Sequence, residues 1–170
     1  DLGDGNNQLD LAATKTLTAS SFDLTTGTGN DSLTFAGALN SAGTVSVVTG
    51  AGADQLDFQD DVNGTAVTID LGDGDNQLDL AATKTLTASS FDLTTGTGND
   101  SLTFAGALNS AGTVSVVTGA GADQLDFQDD VNGTAVTIDL GDGNNQLDLA
   151  ATKTLTVSSF DLITGSDNDT

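Results

Sequence analysis

Thr26-Gly27-Thr28-Gly29-Asn30-Asp31-Ser32-Leu33-Thr34-Phe35 decides how the chain is read. Its first half is a tight turn: two glycines one residue apart, then an amide and a carboxylate. Its second half alternates, with Leu33 and Phe35 on one face and Ser32 and Thr34 on the other. That is a short half-buried strand released from a glycine turn. The pattern T-G-x-G-x-D-x-L-x-F returns at Thr49–Phe58, and a softer version stands at Leu71–Leu80.

The whole chain is this unit repeated. Residues 70–138 copy residues 1–69 with one change, Asp75 for Asn6. Residues 139–170 copy residues 1–32 with five changes, at Val157, Ile163, Ser166, Asp167 and Thr170. The first glycine of each turn falls at Gly3, Gly27, Gly50, Gly72, Gly96, Gly119, Gly141 and Gly165. The steps are 24, 23 and 22, so three units of about 23 residues make one 69-residue block. Repeats of that length signal a solenoid, in which each unit buries its apolar face against its neighbours.

Aligned units give apolar columns. Leu9, Leu33, Leu56 and Leu78 form one, and Leu11, Phe35, Phe58 and Leu80 the next. A looser third is Leu17, Leu39 and Val62. The last two are Phe22, Val45 and Val67, then Leu24, Val47 and Ile69, separated by the polar Asp23, Ser46 and Thr68. No stretch keeps a 3.6-residue stripe, and the dense Gly, Thr, Asp and Asn disfavour helix. The expectation is an all-β parallel β-solenoid (a β-helix or β-roll) of about 23 residues per rung, with three rungs per 69-residue repeat. One solenoid segment would fill 1–170, from repeats 1–69 and 70–138 and the partial repeat 139–170. At about 4.8 Å between strands, seven rungs would make a rod roughly 35 Å long. Differences in unit length are assigned to the corners 12–21, 36–44 and 59–66.

Composition narrows the chemistry. All 25 acidic residues are aspartate; against three lysines and no arginine they give a net charge of −22. Such a chain repels nucleic acid and anionic membrane surfaces. Without cysteine there is neither disulfide nor thiolate metal site. No apolar run is long enough to span a bilayer, so membrane insertion is not expected. The G-x-G turns lack the following helix and lysine of a nucleotide loop. The chain has no His or Arg, and nearly every carboxylate is copied 69 residues on, so the differentiated constellation of an enzyme is missing. No catalytic activity is expected. A chain that starts and stops in mid-turn reads as a piece of something longer.

Stacking also lines up the position after G-x-G-x: Asn7, Asp31, Asp54, Asn76, Asp100, Asp123, Asn145 and Asp169. Carboxylates on neighbouring rungs, about 5 Å apart, repel by about 1 kcal/mol in bulk water and roughly 3–4 kcal/mol at the effective dielectric of a protein surface. Either the side chains splay into water or a cation sits between them. Calcium, which takes six to eight oxygens, suits carboxylates beside turn carbonyls. On the other reading the glycines only make the turn and Asx bonds its own backbone.

The turns resemble the nonapeptide of the RTX (hemolysin-type) calcium-binding repeat proteins, G-G-x-G-x-D-x-U-x, with U a large apolar residue. The resemblance covers about nine residues of each unit. It implies a parallel β-roll with Ca2+ between successive turns. It assigns the ligand carboxylate to Asp31, Asp54, Asp100 and Asp123, with Asn7, Asn76 and Asn145 at the same place in the other units. The matching turn glycines are Gly27 and Gly29, Gly50 and Gly52, Gly96 and Gly98, and Gly119 and Gly121. Two departures stand out: the family's first glycine is Thr26, Thr49 or Leu71 here, and every third unit carries Asn for Asp. The composition is most similar to the bacterial repetitive adhesins and surface-layer proteins of that family. The expected role is thus a structural repeat segment of a large secreted, extracellular surface protein: an adhesin stalk, surface layer or filament. It would associate with itself end-to-end or laterally. The alternative is a calcium-dependent module that binds cell-surface glycans.

Overall fold

The computed structural model describes residues 1–170. The chain winds through seven rungs of three strands. The first rung is β1 (Gln8–Leu11), β2 (Leu17–Ala19) and β3 (Phe22–Thr25), and the second is β4 (Ser32–Phe35), β5 (Leu39–Ser41) and β6 (Thr44–Val48). The third is β7 (Gln55–Phe58), β8 (Val62–Asn63) and β9 (Ala66–Asp70), and the fourth β10 (Gln77–Leu80), β11 (Thr85–Ala88) and β12 (Ser90–Thr94). Then come β13 (Ser101–Phe104), β14 (Ala107–Ser110) and β15 (Thr113–Val117), followed by β16 (Gln124–Phe127), β17 (Val131–Asn132) and β18 (Ala135–Asp139). The seventh rung is β19 (Gln146–Leu149), β20 (Leu155–Thr156) and β21 (Ser159–Ile163).

Corresponding strands pair in parallel into three seven-stranded sheets: β1-β4-β7-β10-β13-β16-β19, β2-β5-β8-β11-β14-β17-β20 and β3-β6-β9-β12-β15-β18-β21. This is the expected parallel β-solenoid, with about 23 residues per rung and no helix. In particular, no helix is long and apolar enough to cross a membrane.

Register follows the apolar columns. Leu9 pairs with Leu33 and Leu33 with Leu56; Leu11 pairs with Phe35 and Phe35 with Phe58. Leu17, Leu39 and Val62 line up, as do Phe22, Val45 and Val67. A slip of one residue would turn every side chain to the opposite face, so burial fixes the register. The resulting core is one continuous cluster of 29 buried apolar residues. The aromatic column packs within itself: Phe35 stacks on Phe58 at 5.3 Å between centroids and meets Phe22 edge-on at 5.7 Å. The next repeat copies both contacts, in Phe104 with Phe127 and Phe91 with Phe104.

Length differences among rungs fall in the corners, as expected. Between the first two strands, the first rung carries two more residues than its neighbour, from Leu11 to Leu17 against Phe35 to Leu39. That longer corner passes over Gly37, where a Cβ would lie 1.8 Å from the Lys15 carbonyl. The six residues between the third strand and the next first strand never vary in number. That constancy keeps the glycine turns in one column.

Leu56 is fully buried in the third rung. Leu56→Ala is expected to cost about 2–5 kcal/mol, the range for a buried leucine truncated to alanine. Its exposed neighbour, Gln55→Ala, should stay within about 0.5 kcal/mol. Urea unfolding of the two variants checks the inward face of the first sheet.

Candidate functional site

The glycine turns stack as tightly as backbone allows. A Cβ on Gly29 would lie 2.6 Å from the Gly5 carbonyl carbon, and one on Gly52 would lie 2.0 Å from the Gly29 carbonyl oxygen. Both residues also hold positive φ, 128° and 151°, so glycine is required by conformation and by contact alike. The second repeat keeps the arrangement. A Cβ on Gly98 would lie 2.2 Å from the Gly74 carbonyl oxygen, and one on Gly121 would lie 1.7 Å from that of Gly98. Their φ values are 134° and 158°. The first glycine of each pair differs in conformation: Gly50 and Gly119 have positive φ, whereas Gly27 and Gly96 do not. For Gly27 and Gly96 the demand is space alone, since a Cβ would lie 2.4 Å from an Asp4 carboxylate oxygen and 2.5 Å from one of Asp73. The turns are hydrogen-bonded to each other directly: Gly29 N donates to Ala51 O and Gly52 N to Asp73 O, and likewise Gly98 N to Ala120 O and Gly121 N to Asp142 O.

On the outer rim, side chains extend this ladder. The Asp4 carboxylate accepts from the Thr28 amide and hydroxyl, and Asp73 does the same for Thr97. The backbone amide in each case holds the carboxyl below its usual range. At the long corner, Lys84 Nζ lies 2.6 Å from Asp60 and Lys153 Nζ 2.6 Å from Asp129. The direct hydrogen bond from lysine depresses each aspartate.

The Asx column behaves differently. Its carboxylates do not splay into water: Asp31, Asp54, Asp100 and Asp123 are only 1–2% exposed, and Asn76 and Asn145 are equally buried. Each side chain reaches back one rung, and its Oδ1 accepts the backbone N–H of the preceding Asx. Asn7 N thus donates to Asp31 at 2.7 Å, Asp31 N to Asp54 at 2.8 Å and Asp54 N to Asn76 at 3.0 Å. The series continues from Asn76 to Asp100, Asp123, Asn145 and Asp169. Through Oδ1, Asx here bonds the neighbouring rung's backbone; only in the asparagine rungs does the side chain also bond its own turn.

The second branch of the side chain separates Asn from Asp. Asn7 Nδ2 donates to the carbonyls of Gly3 and Gly5, both at 2.8 Å. Asn76 does the same to Gly72 and Gly74, both at 3.0 Å, and Asn145 to Gly141 and Gly143. Since Asp Oδ1 takes the role of Asn Oδ1, Asp Oδ2 falls where the amide would be. There it is buried and has no hydrogen-bond partner in Asp31, Asp54, Asp100 or Asp123. Loss of hydration raises the carboxyl pKa of Asp54, Asp100 and Asp123.

A neighbour that sequence reasoning missed completes the pocket. Thr26, Thr49, Thr95 and Thr118, five residues before each aspartate, are buried. Each hydroxyl donates its one proton to a carbonyl of the next rung: Thr26 to Thr49, Thr49 to Leu71, Thr95 to Thr118 and Thr118 to Leu140. The hydroxyls of Thr49, Thr95 and Thr118 also lie close enough to Asp54, Asp100 and Asp123 to offset part of the burial that raises their carboxyl pKa. The signal was present in the sequence: Thr precedes every Asp of the column and Leu precedes every Asn, as in Leu2 before Asn7, Leu71 before Asn76 and Leu140 before Asn145.

Comparison of the chain with protein-family models, with curated proteins and with solved structures finds no match.

The donor set of the aspartate rungs consists of oxygens alone. Each of these turns offers the carboxylate, the threonine hydroxyl five residues before it and the carbonyls of its two glycines. No three carboxylates converge anywhere, so the turn carbonyls must supply most of any coordination. Hard oxygen donors of this kind suit Ca2+, and the four Oδ2 atoms are buried without a hydrogen-bond partner. The residues therefore fit the ion that the sequence resemblance implies. In the first repeat Gly27 and Gly29 with Asp31, and Gly50 and Gly52 with Asp54, would hold it. In the second the same places are taken by Gly96 and Gly98 with Asp100, and by Gly119 and Gly121 with Asp123.

Proposed function

We propose that this chain is a structural repeat segment of a large secreted bacterial surface protein, a stalk, layer or filament, whose turns are rigidified by calcium. The observation that carries the reading is the set of four buried carboxylate oxygens without partners, each in a glycine turn. An unpaired buried carboxylate is costly in any fold. A bound cation would neutralise Asp31 with Asp54, and Asp100 with Asp123, and tie each pair of rungs together. Extracellular fluids, rich in calcium, are where such a device would be loaded.

A rod role also agrees with the surface. Register runs unbroken through all seven rungs, and the outward faces repeat every third rung. End-to-end association of copies is part of this reading.

The test is far-UV circular dichroism with thermal melting, first in EDTA and then across a calcium titration. The expected result is a gain of β-signal or a rise of many degrees in Tm that saturates with calcium, with magnesium much less effective. Equal structure and stability in EDTA and in calcium would overturn the calcium part of the reading.

A further inference from the structure

The column repeats Asn, Asp, Asp rather than Asp throughout, and the two residue types solve the same turn differently. In the asparagine rungs the Asn7, Asn76 and Asn145 amides tie together two turn carbonyls, those four and two residues earlier. In the aspartate rungs the equivalent atom is an oxygen with nothing to donate, facing the same kind of turn. The residue five places earlier changes in step, from a leucine without a side-chain donor or acceptor to a threonine with a polar hydroxyl.

We propose that Asn7, Asn76 and Asn145 are built-in substitutes for the cation. The side-chain NH2 does in the asparagine rungs what calcium does in the aspartate rungs: it presents positive charge to two turn carbonyls while Oδ1 holds the neighbouring rung. Among the buried carboxylates, metal demand is then confined to two pairs, Asp31 with Asp54 and Asp100 with Asp123, and the two are insulated from each other by a self-sufficient rung; Asp169, in the last turn, is only partly buried. The rod alternates between segments that need an ion and rungs that carry their own. This rests on the calcium reading for the aspartate rungs, but its first consequence does not require an ion. Asp→Asn is nearly isosteric, and it supplies the missing donors at each orphaned oxygen without changing the Oδ1 bond.

Two variants of the full chain decide the matter. The first is D31N/D54N/D100N/D123N, with an asparagine in all four places. The second is L71T/N76D, which converts one self-sufficient rung to the other kind. Each is melted in EDTA and in saturating calcium, and calcium uptake is followed by titration calorimetry. The expected result is that the quadruple variant melts higher than the parent in EDTA, loses calcium uptake and loses the calcium-induced shift in Tm. L71T/N76D should melt lower in EDTA and take up more calcium than the parent. A quadruple variant that melts lower than the parent in EDTA overturns the proposal, as does one that still takes up calcium as the parent does. If the parent binds no calcium yet the quadruple variant is still stabilised in EDTA, the substitution of amide for cation stands as a hydrogen-bonding device and only the calcium reading falls.

Discussion

Gly72→Ala is expected to break the rod in its middle. A Cβ there would lie 1.6 Å from the Gly50 carbonyl oxygen, and φ is +69°. The conformation alone costs an L-residue about 1–2 kcal/mol. The contact adds more, because the obstructing atom is backbone, held in a turn that is hydrogen-bonded on both sides. Relief requires rungs three and four to separate, which also opens the apolar columns between Leu56 and Leu78 and between Phe58 and Leu80. The sum should exceed about 3 kcal/mol, in the upper tail of single-substitution effects. In a solenoid each rung is held only by its neighbours, so the loss should divide one cooperative transition into two. Gly3→Ala is the control: its φ is +75°, but nothing lies within 4 Å of the added carbon. Urea unfolding of both variants separates conformation from stacking. Equal destabilisation would mean that the turn glycines serve φ alone.

The second large effect is a reversal of the usual acid response. In EDTA, the rod should become more stable as pH falls from neutral toward the carboxylate range. Burial raises the pKa of Asp54, Asp100 and Asp123 in the folded chain, whereas the unfolded chain titrates near the ordinary value of about 3.9. Between the two values the folded state binds protons that the unfolded state has released. Stability therefore falls as pH rises through the folded pKa values and is regained on acidification. At lower pH the sign changes. Asp4, Asp60, Asp73 and Asp129 are depressed by their hydrogen bonds, and their contribution is lost as pH falls below the ordinary value through the folded ones. Metal-free stability should peak close to the ordinary carboxylate pKa instead of at neutrality. Thermal melts from neutral pH into the acid range, in EDTA, check this. Because relief of general repulsion among the aspartates has the same sign, D54N/D100N/D123N is the necessary comparison. A slope that survives this substitution unchanged would assign the effect to net charge alone.

The ladders of the core were legible in the sequence because they obey one rule: an apolar residue recurs at the unit spacing, and its flanking residues are polar. Leu33, Leu56 and Leu78 could be stacked on paper. The corners were legible too, since the steps of 24, 23 and 22 demanded loops of unequal length. So were the turn glycines, because Gly98 and Gly121 repeat the places of Gly29 and Gly52 at the 69-residue spacing. The inside of the turn was not. A carboxylate in a glycine-rich turn of an acidic chain left two readings, splayed into water or gathered around a cation, and neither includes what Asp31 and Asp54 do: they are buried, and their Oδ1 atoms reach back to accept the amide of the preceding rung. Those bonds join residues 24 and 23 apart and have no local signature. Thr26 and Thr49 were hidden for another reason. They stand where the resembling family has glycine, so they read as departures from a motif, whereas they form a buried column of their own with Leu71. The alternation of Thr and Asp with Leu and Asn was visible throughout but acquires meaning only when the two positions are known to face one pocket.

The parallel register between rungs has a consequence under load. Pulled from its two ends, a rod of this kind bears force along the hydrogen bonds that join one rung to the next, and the terminal rung is the least supported. Each rung contributes about 4.8 Å to the folded length. Peeled off, its 22 to 24 residues extend to about 75–80 Å at roughly 3.3–3.4 Å per residue. Each rung thus unwinds to about sixteen times its folded length. That length is released one rung at a time, so a tether built from such rungs yields by lengthening before it parts.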